Sequence, residues 1–218
     1  MSTVYTGVSD YFKPVTDADM LKRFSRNTTS RRFFFFLGNT DPKKNTKGTL
    51  QAFSDYRKQT GDDMKLVMID YDKTELEKML SEIGDEDLIN HIVLTGYITN
   101  TDLPAIYSQC SLFLYPSLRE SFGIPIIEAM ASGAPVITSV TSSMPEIAGK
   151  AAVLVDPFKP DEITTAMRMV MCDELLRQEM VAEGFGQAAK FSWKTMGGDV
   201  RKRYEGIVNA KRAHSKIK

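Results

Sequence analysis

The chain has 218 residues, of which 42% are hydrophobic and 26% charged, a composition typical of a globular domain with one substantial core. Its 28 basic and 28 acidic residues balance, so we expect no nucleic-acid partner. It contains no apolar run of about 18 residues, so no membrane span is predicted. Its two cysteines, Cys110 and Cys172, lie far apart and favour a reducing, cytoplasmic setting over a disulfide framework or a zinc site.

Six short apolar runs, each of strand length, alternate with more polar segments. They are Phe33 to Leu37, Leu66 to Ile69, Ile92 to Leu94, Leu112 to Tyr115, Pro135 to Thr138 and Ala152 to Val155. Leu50, Phe53 and Tyr56 follow the first run at helical spacing. The alternation predicts an α/β fold with a Rossmann-like parallel sheet of about six strands, flanked by helices.

The chain divides into three predicted regions. Residues 1–30 show no sustained periodicity, and we interpret them as a linker or edge segment. Residues 31–192 are predicted to form the Rossmann-like domain. From Asp161 onward the pattern is wholly helical, and residues 193–218 are predicted as a C-terminal helix with a basic tail.

Some motif matches carry no function at their positions. Gly184 begins a G-x-G-x-x-A pattern, but it lies inside a helical region rather than after a strand. The two D-x-D matches, at residues 17–19 and 85–87, are better explained as helix caps or solvated turns. His91 and His214 are the only histidines, so a histidine acid/base pair is not expected.

A strand, a loop and a short helix run from Leu112 to Gly133. Pro125 suits the first helical turn, so the amides just before it have no partners within the helix. These amides belong to Ser121, Phe122, Gly123 and Ile124. A helix N-terminus at the carboxyl end of a parallel strand favours an anion such as a phosphate, and Gly123 allows close approach to the backbone.

Two carboxylates, Glu120 and Glu128, flank this helix end. They are suited to accept hydrogen bonds from the hydroxyls of a ribose and of a sugar on either side of a diphosphate. The alternative is that Glu120 caps the helix and Glu128 is a solvated helix residue.

A basic turn follows the first predicted strand and begins at Gly38 and Asn39. Its two lysines, Lys43 and Lys44, either neutralise a diphosphate or belong to a solvated loop.

Several stretches, in order along the chain, resemble the donor-binding C-terminal domain of family 4 (group 1) glycosyltransferases, which have the GT-B fold. They are Thr95 to Ile98, Asp102 to Tyr107, Glu120 to Ile137 with its Glu-x7-Glu pattern, Met144 to Glu146, and Ala152 to Pro157. The resemblance runs from about Val4 to Tyr204 and covers about half of a full family member. We therefore expect one half of a GT-B fold, from a longer protein or a split enzyme, without its acceptor-binding N-terminal domain.

The resemblance implies a role for each site residue. Glu128 would bind the donor ribose, and Glu120, the candidate catalytic residue, would contact the transferred sugar. The amides of residues 121–124 and Lys44 would hold the diphosphate, while Tyr97 and Ile98 would lie near the base. Family members often have an arginine where Asn39 follows Gly38. Lys43 either takes over the phosphate-binding role of that arginine or has no such role. No metal or other cofactor is implied.

The leading functional hypothesis is transfer of a sugar from a nucleoside-diphosphate sugar, with retention, in polysaccharide or glycan synthesis. The acceptor would be a glycan or a lipid-linked sugar held by the absent domain, with the full-length protein at the inner face of the membrane. The alternatives are a non-catalytic nucleotide-sugar binding module, a split-enzyme subunit and, ranked below them, a GT-B sugar-nucleotide epimerase. The C-terminal helix would either brace the missing domain or pack wholly on this one.

Overall fold

A computed structural model of the protein describes residues 3–17 and 32–215 and contains one six-stranded sheet. The strands are β1 (Phe33–Phe36), β2 (Lys65–Met68), β3 (Ile92–Leu94), β4 (Leu112–Tyr115), β5 (Val136–Ser139) and β6 (Ala152–Val155). All neighbours pair in parallel, in the order β3-β2-β1-β4-β5-β6. The predicted parallel sheet and its six strands are confirmed, with each strand within one residue of its apolar run.

Helices occupy both faces of the sheet. They are α1 (Thr46–Thr60), α2 (Lys73–Ile83), α3 (Leu103–Gln109), α4 (Ile124–Ala131), α5 (Met144–Ala148), α6 (Pro160–Cys172), α7 (Glu174–Ala188) and α8 (Trp193–Ser215), with 3₁₀ turns at Pro42–Lys44 and Glu86–His91. Local chemistry sets their ends. The Asp72 carboxylate, for example, accepts a hydrogen bond from the Glu75 amide at 2.9 Å, and Gly84 ends α2 in the left-handed region at φ 71°.

The four phenylalanines of β1 lie between two hydrophobic cores and contribute to both. Because strand side chains alternate between faces, Phe33 and Phe35 point into one core and Phe34 and Phe36 into the other. All four are almost completely buried. The first core includes residues of α3, α4 and α5, and the second includes residues of α1, α2 and α6. The prediction of a strand buried on both faces is confirmed.

The sheet order creates a crevice between β1 and β4. After β1 the chain passes to β2 on one side, whereas β4 pairs with β1 on the other, with Phe34 opposite Leu112 and Phe36 opposite Leu114. Ligands of open α/β sheets bind where the strand order reverses in this way, outside the carboxyl ends of the strands. The fold therefore brings residues 37–45 and residues 116–123 side by side.

The segment 3–17 lies against the sheet domain, although no periodicity was found there. Phe12 is buried in the first core, and Val8 forms an isolated parallel bridge with Ser192. Residues 18–30 of the expected linker, with Asp19 of the first D-x-D match, lie outside the described residues. The predicted domain boundaries remain predictions.

Helix α8 does not pack wholly on this domain. Four of its apolar residues are exposed, by 45–68%, which contradicts the alternative of complete packing: Trp193, Tyr204, Ile207 and Val208. Among the helices that the structure describes, none is both long enough and apolar enough to cross a membrane.

The motif matches set aside in the sequence analysis have structural roles. Gly184 and Gly186 lie inside α7, so the G-x-G-x-x-A match is not a nucleotide loop. Asp85 accepts a short hydrogen bond from the Ser54 hydroxyl and forms an ion pair with Lys58 at 3.1 Å. These contacts connect the turn after α2 to helix α1.

Candidate functional site

The 3₁₀ turn after β1 is built by its own polar side chains. The Asn39 Oδ1 atom accepts from the Asp41 amide at 2.9 Å, and Asp41 Oδ1 accepts from the Lys43 amide at 3.0 Å. Pro42 occupies the first turn, where no donor is needed. The turn ends at Lys44, whose side chain extends toward the end of β4.

Lys44 and Glu120 form an ion pair at the centre of the crevice. The Lys44 Nζ atom donates to Glu120 Oε1 at 2.7 Å and to the Tyr115 hydroxyl at 2.9 Å. The lysine and glutamate side chains are only 15% and 12% exposed. Lys44 is therefore not part of a solvated loop. Glu120 does not cap α4 either, because the N-cap residue is Gly123 and no side chain caps the helix.

Glu128 lies one turn inside α4 and is partly buried. Its Oε2 atom accepts a long hydrogen bond, 3.4 Å, from the hydroxyl of the buried Tyr107. Loss of hydration raises the pKa of Glu128 to about 7, and the Tyr107 hydrogen bond opposes this increase. The alternative of a solvated helix residue is wrong, and Glu128 is instead a sheltered acceptor.

An open cavity of about 390 Å³ lies at the carboxyl edge of the sheet, and we call it the edge cavity. Six of the predicted site residues line it: Gly38, Asn39, Lys44, Tyr97, Ile98 and Glu128. Its other lining residues are Leu37, Ile69, Asp70, Asn100 and Leu103, which sequence reasoning did not identify. Apolar walls with a few convergent polar groups are typical of small-molecule sites.

A second depression, also about 390 Å³, is lined by Lys43, Arg119, Glu120 and Ser121, and we call it the polar depression. The Lys43 ammonium lies 2.9 Å from Asp41 Oδ2, and both side chains are about half exposed. The structure thus places Lys43 beside Glu120 and not beside Glu128. The Lys44–Glu120 ion pair separates the two sites, because Lys44 lines the edge cavity and Glu120 lines the polar depression.

Phe122, Gly123 and Ile124, at the N-terminus of α4, line neither the edge cavity nor the polar depression. Gly123 adopts φ 101°, a conformation that L side chains rarely adopt. The Phe122 ring packs away from both sites, with centroids 6.2 Å from Tyr5 and 5.9 Å from Phe191. Ile124 is partly exposed and lines neither the edge cavity nor the polar depression. Of the four predicted residues 121–124, Ser121 lines the polar depression.

Hydroxyl groups after β5 hold the loop that carries Glu120. Ser142 Oγ donates to the Glu120 carbonyl at 2.6 Å, and Ser143 Oγ donates to the Phe122 carbonyl at 2.8 Å. Sequence reasoning missed these serines, together with Tyr115 and Arg119. Tyr115 ends a predicted strand and Arg119 adjoins Glu120, but the local sequence does not show which groups either side chain faces.

Within 3–17 and 32–215, no three His, Cys, Asp or Glu side chains are grouped as ligands for a metal ion. The acidic groups of the crevice are instead paired with cations or lie singly.

The comparison with known families identifies the chain. The family model described as "Glycosyl transferases group 1" matches residues 18–187, which is most of the sequence. The chain belongs to this family. The expected resemblance to group 1 glycosyltransferases is therefore confirmed.

Similar proteins set the context for this group 1 chain. O-antigen chain mannosyltransferase B of Escherichia coli is 33% identical over 162 residues, which cover 74% of this chain and 42% of that protein. The solved C-terminal domain of the group 1 protein LpcC from Francisella tularensis matches with TM-score 0.71 and 22% identity, over 84% of this chain and 97% of that chain. Anabaena HepE, solved with UDP and glucose, matches with TM-score 0.77 and 18% identity, over 94% and 56%.

The chain thus spans less than half the length of the mannosyltransferase and about half of the HepE chain. Its fold is that of the C-terminal Rossmann-like domain of GT-B glycosyltransferases, as predicted.

Proposed function

We propose that this chain is the donor-binding domain of a glycosyltransferase and binds a nucleoside-diphosphate sugar across the crevice between β1 and β4. The observation that carries the proposal is the convergence of Lys44, Glu120 and the N-terminus of α4 at the point where the strand order reverses. A lysine and a helix N-terminus both favour a diphosphate. Family membership and the UDP complex of HepE support the same ligand class.

The two sites suit opposite ends of such a donor. The nucleoside would occupy the edge cavity, with its base near Tyr97 and Ile98 and its ribose hydroxyls donating to Glu128. The diphosphate would lie across Lys44 and the amides of residues 121–124. The transferred sugar would then reach Glu120, which accepts hydrogen bonds from sugar hydroxyls at the polar depression.

In the transfer step, the bond between the anomeric carbon and the β-phosphate oxygen breaks, and its electron pair stays on the phosphate. The acceptor oxygen forms the new bond to that carbon and passes its proton to the departing phosphate oxygen. Negative charge therefore develops beside Lys44. The Lys44 ammonium group and the N-terminus of α4 are already in position and stabilise this charge. We propose that these groups act without a metal ion, and that transfer in the whole protein is unchanged by a chelator.

The acceptor side of the reaction belongs to the whole protein. We propose a glycan or lipid-linked sugar acceptor, in part because a relative is named as an O-antigen chain mannosyltransferase. The exposed apolar residues of α8, Trp193, Tyr204, Ile207 and Val208, are consistent with contact to a further domain that holds this acceptor.

Calorimetric titration with UDP, GDP, ADP and their sugar conjugates tests donor binding and identifies the base. Glu128→Ala should weaken binding of the preferred donor about 10- to 150-fold, the loss expected for hydrogen bonds to a charged group. Glu77→Ala, an exposed substitution on α2, is the matched control and should bind like the wild-type chain. Equal donor affinity in Glu128→Ala and the wild-type chain would contradict the ribose role. If the wild-type chain binds none of these nucleotides, the donor-binding proposal fails.

A further inference from the structure

The polar depression differs chemically from the edge cavity. The edge cavity has apolar walls that include Leu37, Ile69 and Leu103, whereas charged or hydroxyl side chains alone line the polar depression. The apolar walls of the edge cavity can accommodate a nucleoside base. A depression lined by Lys43, Arg119, Glu120 and Ser121 is suited to a ligand group that is itself charged or rich in hydroxyls.

Among the three cations in this part of the crevice, Arg119 differs in its pairing. Lys43 lies 2.9 Å from the Asp41 carboxylate, and Lys44 lies 2.7 Å from Glu120. Arg119 is exposed and forms no ion pair or side-chain hydrogen bond with any residue that the structure describes. Three cations thus stand against two carboxylates, and the excess positive charge comes from Arg119.

The backbone on either side of Arg119 is held in place. The Leu118 amide donates to the Lys43 carbonyl at 2.7 Å, which joins the loop after β4 to the turn after β1. Thr141 Oγ1 donates to the Leu118 carbonyl at 3.0 Å, and Ser142 Oγ donates to the Glu120 carbonyl at 2.6 Å. Residue 119 is therefore fixed beside Lys43, and its guanidinium group is available to a ligand without an existing pair being broken.

We propose that Arg119 binds the β-phosphate of the donor from the side of the polar depression, a role that rests on the proposed donor function. With the nucleoside in the edge cavity and the sugar at Glu120, the β-phosphate is the phosphate nearer the polar depression. A guanidinium group binds phosphate oxygens in a bidentate manner, which an ammonium group cannot do. The Asn39 Oδ1 atom accepts from the Asp41 amide, so Asn39 is engaged within the turn.

Titration of three ligands tests this assignment: the nucleoside monophosphate, the diphosphate and the diphosphate sugar of the preferred base. Arg119→Gln should weaken the two diphosphate ligands about tenfold and leave the monophosphate within about twofold, because only the former carry a β-phosphate. Arg119→Lys should give an intermediate loss. Arg168→Gln, an exposed arginine on α6, is the matched control.

Two results would overturn the role of Arg119 alone. One is diphosphate binding by Arg119→Gln that equals that of the wild-type chain. The other is an equal loss for the monophosphate, which would place the guanidinium at the α-phosphate or indicate a general disturbance. Because Arg119 is exposed, its variants should unfold at the wild-type temperature. A wild-type chain that binds none of the three ligands would overturn the donor function and this role together.

Discussion

Glu128→Gln keeps the size and polarity of a partly buried side chain but removes its ability to ionise. Burial raises the pKa of Glu128 from 4.5 to about 7, because the charged form loses hydration. The folded chain therefore favours the neutral acid. The stability contributed by this preference is fully present below pH 4.5 and is lost as the pH rises through about 7.

The size of the effect follows from the two pKa values. A pKa increase from 4.5 to about 7 corresponds to about 3 kcal/mol of unfolding free energy. Glutamine does not titrate, so the stability of Glu128→Gln relative to the wild-type chain should increase by up to about 3 kcal/mol between about pH 4.5 and about pH 8.5. The amide also loses part of the contact with Tyr107, but that loss does not depend on pH.

Urea unfolding at the two pH values measures this change. Wild type, Glu128→Gln and the control Glu77→Gln are compared, and the difference of differences removes the titration of all other carboxylates. The control replaces a carboxylate that is exposed on α2. A Glu128→Gln difference that stays constant within about 0.5 kcal/mol would refute the reasoning, because Glu128 would then titrate as a solvated carboxylate.

The raised pKa of Glu128 affects proposed donor binding and stability in opposite directions: affinity should rise with pH, whereas stability falls. In the proposed donor site, ribose hydroxyls donate to the ionised carboxylate, so the wild-type affinity for a nucleoside-diphosphate sugar should fall about tenfold from pH 8 to pH 6. Both phosphates of such a donor are esterified and stay ionised over this range. Glu128→Gln should bind weakly at both pH values. A wild-type affinity that is independent of pH would contradict this linkage.

Two further predictions concern the loop junction at Asn45. The Asn45 Nδ2 atom donates to the carbonyls of Pro116 at 3.0 Å and Pro157 at 2.7 Å. Asn45→Ala should therefore lower the unfolding free energy, measured in urea, by about 1–3 kcal/mol. An unchanged urea midpoint would contradict this. A Cβ atom at Gly48 would lie 2.4 Å from Asn45 Oδ1, so Gly48→Ala should lower the unfolding free energy by about 1–3 kcal/mol. At Gly186 a Cβ atom would meet no atom within 4 Å, so Gly186→Ala should leave the unfolding free energy unchanged or raise it. Equal melting temperatures for the two alanine variants would show that Asn45 adjusts freely.

The sequence was sufficient to predict the strands because each is a short apolar run between more polar segments. Phe33 to Phe36 form the clearest case, since a strand with large apolar residues on both faces must separate two cores. Residues 3–17 were not recognised as part of the fold. Their contacts depend on single residues such as Phe12 and Val8 and have no period that a pattern search detects.

The candidate site was predicted in part, because the family resemblance named its residues one by one. The resemblance did not indicate which of these residues pair with one another. Lys44 and Glu120 are 76 residues apart, and their contact depends on β4 lying beside β1, which no local pattern specifies. Arg119 was overlooked for the same reason, since the excess charge is apparent only once Lys43 and Lys44 are seen with their carboxylates.

The pairing of β1 with β4 has a consequence for when the proposed donor site can form during folding. Strand β1 emerges early during synthesis, but its neighbour β4 is made only after β2 and β3, so the crevice closes through a contact of long sequence separation. A partly folded chain that has joined only β1, β2 and β3 holds Lys44 without Glu120. Nucleotide binding would therefore report that both halves of the sheet have come together, and a bound nucleotide would stabilise that completed state selectively.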